Sequence, residues 1–251
     1  MRTAPSDSPP ILCLPGWGLG RGPLAALVSL LGAQWYDLPG YGRTGSSDTF
    51  GQAIQRLSNE APRGTCLLGW SLGTMLALAA ARLAPDVFSA VVAISPTPSF
   101  IRRPGWSLGL APAQLAVFRE QVRTDAPAAL RRFIVEFNRG DLLAKEISRR
   151  LMREADTLPS TRVLTTGLDW LEETDLRAAL PGLEVPILVF HGTADGLIPP
   201  AAGRWVAEHV AHGRFVAVEG AAHAPFCGRE DFFVKEIRRF LQQVVPNGTG
   251  I

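Results

Sequence analysis

Cys66-Leu67-Leu68-Gly69-Trp70-Ser71-Leu72-Gly73-Thr74-Met75 is the stretch that decides how this chain is read. An apolar run passes through Gly-x-Ser-x-Gly into a second apolar segment, the pattern of a buried strand turning sharply into a helix. So tight a turn puts Ser71 in a strained backbone conformation, with its hydroxyl standing above the sheet edge. Gly69 and Gly73 then lack side chains because a Cβ would strike the neighbouring strand or helix. The amide of Leu72, in the first turn of the helix, points at any negative charge that develops beside Ser71. A plain strand-turn-helix with a serine in the bend would carry the same five residues, so the partners of Ser71 decide.

Working outward, apolar runs alternate with helical patterns. Ile11–Leu14 reads as a strand, followed by the loop Pro15-Gly16-Trp17-Gly18-Leu19-Gly20 and a helix carrying Leu24, Leu27, Val28 and Leu31. A second strand is expected over residues 34–38, a loop over 39–43 and a helix over 50–60. The elbow strand covers residues 65–68, its helix residues 72–83, and another strand residues 90–94. Strands that are apolar throughout, alternating with helices, predict a mostly parallel sheet covered on both faces.

The alternation breaks between residues 96 and 183. Four helices are expected there, near 112–123, 127–137, 141–154 and 160–172. It resumes with a strand at 186–190, a helix at 201–209, a strand at 214–218 and a closing helix at 231–244. The expected organisation is a core of residues 1–95 and 184–251 with an inserted helical cap of residues 96–183. Leu130, Phe133, Ile134 and Phe137 form one apolar stripe in that cap. The stripe either packs within the cap or roofs a cleft.

The 251 residues are 47% hydrophobic and 19% charged, with a formal net charge of +2, so no global charge suggests nucleic acid. The segment Met1–Pro10 has no signal-peptide pattern, and no apolar run approaches the ~20 residues of a membrane helix. Three cysteines are too few and too scattered for a disulfide framework. Cys13 and Cys66 fall in expected strands, and Cys227 follows a histidine motif. These features predict a cytoplasmic protein without a membrane segment; a monomer is expected, although none of them bears on oligomeric state. Asn247-Gly248-Thr249 formally matches a glycosylation acceptor, which has no meaning without a secretion signal.

Nucleophilic acyl transfer needs a hydroxyl, a base within hydrogen-bonding reach and a group that orients the base. In a parallel sheet the loops after the strands open on one edge. Asp195 and His223 each lie just past an expected strand. Of the four histidines, His209 and His212 belong to a peripheral helix and His191 to a strand or its end, which leaves His223 as the base. Gly16-Trp17-Gly18 lets the backbone approach the nucleophile, so the Trp17 and Leu72 amides are the expected oxyanion donors.

These residues resemble the α/β-hydrolase superfamily over nearly the whole chain, and within it the BioH-type pimeloyl-[acyl-carrier-protein] methyl ester carboxylesterases. The strings that carry the closer resemblance are Gly16-Trp17-Gly18-Leu19, Leu68-Gly69-Trp70-Ser71-Leu72-Gly73, Asp195-Gly196-Leu197-Ile198-Pro199 and Ala221-Ala222-His223-Ala224-Pro225-Phe226. The resemblance implies a serine esterase without cofactor or metal, with Ser71, Asp195 and His223 as its triad. It implies substrate contacts at Trp17, Leu72 and the segment Phe133, Ile134, Val135, Glu136 and Phe137. It also implies an acidic acyl-carrier protein as partner, met by basic residues of the cap, of which Arg132, Lys145 and Arg149 match by position.

Residues 102–153 hold eleven arginines and lysines against five acids, a local surplus able to steer an acidic partner. A solvated helical face would look the same. Pro15 stands where the family has a histidine, and Ala128 where it has an arginine. The alternatives are a small-ester or lactone hydrolase without a protein partner, and a slow-turnover ligand receptor on the same fold.

Overall fold

The computed structural model describes residues 9–41, 48–154 and 159–244. Gly42 and Arg43 of the second glycine-bearing loop, the first eight residues and Asn247–Thr249 lie outside them.

The described residues form one parallel sheet of six strands: β1 (Ile11–Leu14), β2 (Gln34–Trp35), β3 (Thr65–Trp70), β4 (Phe88–Ile94), β5 (Ile187–Gly192) and β6 (Gly213–Val218). They stand in the order β2-β1-β3-β4-β5-β6. The chain runs outward from β1 to β2, then returns across β1 to build the other side. That reversal opens a crevice at the carboxyl ends of β1 and β3, where ligands of such sheets bind. Register fixes the crevice, because Leu14 pairs with Gly69 and brings the loop after β1 beside Ser71.

Every residue of β1, β3 and β5 is buried. Successive strand side chains point to opposite faces, so both faces of the central sheet are covered. The nearly all-apolar helix α3 (Leu72–Leu83) supplies part of that cover. The edges differ. β6 is mostly exposed or half-buried, and β2 is shorter than the strand expected over residues 34–38. One further bond, from the Tyr36 N–H to the Cys13 carbonyl at 3.0 Å, extends the pairing. The chain then turns inward, burying Leu38 and Tyr41.

Helices α1 (Ala25–Leu31), α2 (Phe50–Glu60), α3 (Leu72–Leu83), α8 (Pro200–Glu208) and α9 (Glu230–Val244) accompany the strands. Between β4 and β5 come α4 (Pro112–Thr124), α5 (Ala126–Phe137), α6 (Ala144–Glu154) and α7 (Thr161–Glu173). Helix α5 starts where the Asp125 carboxylate accepts the Ala128 amide hydrogen at 3.0 Å and Pro127 occupies the first turn. Leu130, Ile134 and Phe137 recur at helical spacing and are about 1% exposed. Each such side chain contributes roughly 1.5–3 kcal/mol by leaving water.

Candidate active site

Ser71 takes φ 53° and ψ −118° at the junction of β3 and α3. A non-glycine residue in that region costs about 1–3 kcal/mol, so its surroundings must impose it. They do so by contact. A Cβ on Gly69 would lie 2.6 Å from the Gly73 carbonyl oxygen, and one on Gly73 would lie 2.2 Å from the Leu14 carbonyl oxygen. The two glycines let β1, β3 and α3 converge, and the convergence leaves Ser71 outside the helix with its hydroxyl free to point away.

His223 Nε2 lies 3.0 Å from Ser71 Oγ, and His223 Nδ1 lies 2.8 Å from Asp195 Oδ2. The other carboxylate oxygen, Asp195 Oδ1, accepts the amides of Leu197 at 3.0 Å and Ile198 at 2.9 Å. Burial alone would push the Asp195 carboxyl up. The charge of His223 and the hydrogen bonds from His191 and His223 outweigh it and hold Asp195 below the usual carboxylate range. An ionised Asp195 fixes the tautomer with the proton on Nδ1, which leaves Nε2 as the acceptor for the Ser71 proton. This geometry suits general-base activation of a serine.

The backbone of His223 is held from two sides. Its carbonyl accepts the Trp70 indole N–H at 2.9 Å and the Ser95 hydroxyl at 3.1 Å. Its amide donates to the Phe137 carbonyl at 3.3 Å, at the end of α5. One residue earlier, the Ala222 amide donates to Asp141 Oδ2 at 2.8 Å, and Asp141 is ion-paired with Arg229 at 2.9 Å. Residues of the β4–β5 connection and of the sheet loops therefore meet at the histidine loop.

The loop after β1 is fixed in the same way. The Gly18 amide donates to the Tyr41 hydroxyl at 2.8 Å, and the Trp17 indole donates to the Leu164 carbonyl of α7 at 2.8 Å. A Cβ on Gly16 would lie 2.8 Å from the Trp70 ring. Among the described residues no acceptor takes the Trp17 or Leu72 amide hydrogen. Leu72 follows Ser71 directly in the chain, and Trp17 lines the same cavity as Ser71.

Ser71 and His223 open into a cavity of about 170 Å³. Its walls are apolar: Trp17 and Trp70 from the core, Phe118, Phe133 and Phe137 from α4 and α5, and Leu168 and Leu171 from α7. Phe133 meets Trp17 edge to face at 5.5 Å and Phe137 at 5.0 Å. The expected segment 133–137 divides. Phe133 and Phe137 line the cavity, and Ile134 is buried outside the lining. Val135 is 50% exposed and not in the lining, and Glu136 is exposed and paired with Arg139 at 2.6 Å. Helical geometry turns those two residues away from the cleft.

Arg132, Lys145 and Arg149 are exposed, and none joins an ion pair among the described residues. Lys145 and Arg149 lie four apart on α6 and share a face. Arg150, by contrast, is bound to Glu230 at 2.7 Å. Burial pushes the Cys66 thiol up to about 12 and Cys13 still higher, so neither is a thiolate nucleophile near neutral pH. Cys227 is buried. Among the described residues no trio of histidine, cysteine or acid side chains is placed to hold a metal, and no helix is long and apolar enough to cross a membrane.

Two polar residues at the site escape the sequence reading. His191, whose place in the sequence is that of a strand residue, reaches Asp195 from β5. Asp141 reaches the histidine loop from the segment between α5 and α6.

Residues 11–234 match the alpha/beta hydrolase family. A pimeloyl-[acyl-carrier protein] methyl ester esterase of Edwardsiella ictaluri is 35% identical over 238 residues, covering 92% of each chain. A protein of the same name from Aliivibrio salmonicida is 33% identical over 241 residues, again 92% of each. Among solved structures, a bromoperoxidase from Bacillus anthracis superposes with a TM-score of 0.82 at 21% identity, over 94% of this chain and 92% of that one. That last likeness is one of fold.

Proposed function

The chain belongs to the alpha/beta hydrolase family, among its BioH-type esterases, and from that premise we propose that it cleaves the methyl ester of a pimeloyl group carried on acyl-carrier protein. The observation that carries the chemistry is the hydrogen-bonded chain Ser71–His223–Asp195 opening into an apolar cavity.

In this reading His223 Nε2 takes the Ser71 proton as Oγ attacks the ester carbonyl. The amides of Trp17 and Leu72 hold the tetrahedral oxyanion, each such donor being worth about 3–4 kcal/mol. Collapse of that intermediate breaks the bond to the methoxy oxygen. His223 returns the proton to that oxygen, and methanol leaves. Water, deprotonated by the same histidine, attacks the acyl-enzyme. Collapse of the second intermediate breaks the bond to Ser71 Oγ, which takes back the proton from His223, and the acid released at the end of the acyl chain ionises to a carboxylate. Asp195 keeps the imidazolium paired and in plane throughout.

The aromatic lining suits the methylenes of the acyl chain, which gain by leaving water and make no polar demand. Residues 96–183 act as the cap that supplies most of this lining. The exposed cations Arg132, Lys145 and Arg149 face an acidic carrier protein, whose charge they complement. The product is a free acid, so the step would end ester-masked chain growth and feed biotin synthesis.

The test is hydrolysis of a free pimeloyl methyl ester and of its carrier-linked form, with wild type and Ser71→Ala. Wild type should prefer the carrier-linked ester, and Ser71→Ala should lose both reactions by several orders of magnitude. Equal treatment of both esters by wild type would identify a carrier-independent small-ester hydrolase instead. Growth of a biotin auxotroph lacking its pimeloyl-ester esterase, restored by wild type and not by Ser71→Ala, would tie the activity to its pathway.

A further inference from the structure

His191 is wholly buried near the end of β5, yet it touches the carboxylate that orients the catalytic histidine. Its Nε2 lies 2.9 Å from the Ile198 carbonyl oxygen and 3.2 Å from Asp195 Oδ2. A carbonyl oxygen only accepts, so Nε2 carries the proton and shares it between the two oxygens. Nδ1 is buried and has no hydrogen-bond partner. A proton there would be a buried donor without an acceptor, so the ring is the neutral Nε2–H tautomer.

Helix α8 makes room for this ring. A Cβ on Gly203 would fall 2.2 Å from His191 Nδ1, so only glycine at that point lets the imidazole lie between β5 and α8. The ring is thereby fixed by packing, and its one N–H is aimed at the turn that carries Asp195.

We propose that His191 is a positioning residue for the triad, holding Asp195 Oδ2 in the plane in which it receives His223 Nδ1–H. Asp195 Oδ1 already accepts the Leu197 and Ile198 amides. With His191 and His223 both on Oδ2, rotation of the carboxylate breaks bonds at both oxygens. The Ile198 carbonyl ties the far end of the 195–198 turn to the same imidazole, so turn and carboxylate move together or not at all. This role rests on the esterase reading, because it acts through His223.

The two titratable groups that face Asp195 are His191 from β5 and His223 from the loop after β6; no other ion pair or side-chain hydrogen bond reaches it among the described residues. Without His191, the whole charge of Oδ2 falls on its bond to His223. The imidazole then becomes more basic, and the acid limb of kcat/KM moves to higher pH.

The test compares His191→Gln, which keeps an N–H donor, with His191→Met, of similar length and without one. Both are assayed on a free pimeloyl methyl ester beside wild type and Ser71→Ala, with thermal melts to separate stability from rate. His191→Met should lose about ten- to a hundredfold in kcat, the range for a hydrogen bond to a charged group, with KM within about twofold. Its acid limb should shift upward, and the downfield proton resonance of His223 Nδ1–H should move. His191→Gln should stay within about threefold of wild type in kcat, with the wild-type limb and resonance. Equal losses in both variants, or unchanged profiles in both, would overturn the assignment while leaving the esterase reading standing. A wild type without Ser71-dependent hydrolysis would overturn both.

Discussion

Asp141 accepts the amide hydrogen of Ala222 at 2.8 Å, one residue before the histidine that approaches Ser71. The carboxylate belongs to the segment joining α5 to α6, and the amide belongs to the loop after β6. The side chain of Asp141 is fully buried, and Arg229, only 17% exposed, is its counter-charge. Two backbone bonds run beside it, from Leu142 N–H to the Gly220 carbonyl at 2.9 Å and from His223 N–H to the Phe137 carbonyl.

Removing one member of a buried pair leaves an uncompensated charge and costs about 3–5 kcal/mol. Asp141→Ala should therefore unfold at clearly lower urea, and its ester hydrolysis should fall even where it is fully folded. A variant with wild-type stability and turnover would show that this junction is dispensable to the histidine loop.

Tyr41 gives a prediction with a definite pH window. Its hydroxyl is buried, accepts the Gly18 amide and is pushed by burial up to about 12. The unfolded value is about 10, so the folded pKa is the higher of the two. Such a group contributes stability that is fully present below pH 10 and lost as pH rises toward 12. Two units correspond to about 3 kcal/mol. Between pH 10 and 12 the urea midpoint of wild type should fall faster than that of Tyr41→Phe. At pH 7 wild type should be the more stable of the two, because phenylalanine leaves the Gly18 amide without its acceptor, at about 1–3 kcal/mol. Parallel pH curves for the two proteins would remove Tyr41 as the cause.

The sequence reveals those parts of the molecule whose causes are local. A parallel sheet follows from apolar runs alternating with helices. Ser71 follows from two glycines whose absent side chains are a property of one turn. Asp195 and His223 are legible because each lies in the loop that follows a strand of the same sheet. Asp141, by contrast, meets a partner 81 positions away, and nothing near it in the chain announces a buried acid. His191 reads as one more strand residue until the 195–198 turn folds back on it. The short β2 is a matter of what lies beside it at the sheet edge, which no apolar run reports.

Gly167 shows the same limit on the cap side. A Cβ there would lie 2.5 Å from the Trp17 ring, so α7 rests directly on the residue that flanks Ser71. The Trp17 indole is also bonded to α7 through the Leu164 carbonyl. Gly167→Ala must displace either the helix or the indole, at about 1–3 kcal/mol. Because Trp17 lines the cavity, KM for a free ester should rise several-fold even where the fold persists. Kinetics that are unchanged would mean that the cap yields and Trp17 does not.

The cations of the cap are the place where substrate choice is open to experiment. Arg132, Lys145 and Arg149 are exposed and without ion pairs among the described residues, so reversing them breaks no structural bond that the fold uses. Arg132→Glu combined with Arg149→Glu should leave melting within about 0.5 kcal/mol of wild type, as for surface changes generally. Hydrolysis of a free pimeloyl methyl ester should also be unchanged. The carrier-linked ester should lose roughly ten- to a hundredfold in kcat/KM at low salt, because attraction becomes repulsion at the proposed docking face. The deficit should shrink as salt rises and screens both signs alike. If both substrates lose equally, these arginines act on the catalytic centre and not on a carrier. If neither loses, the acidic partner docks elsewhere.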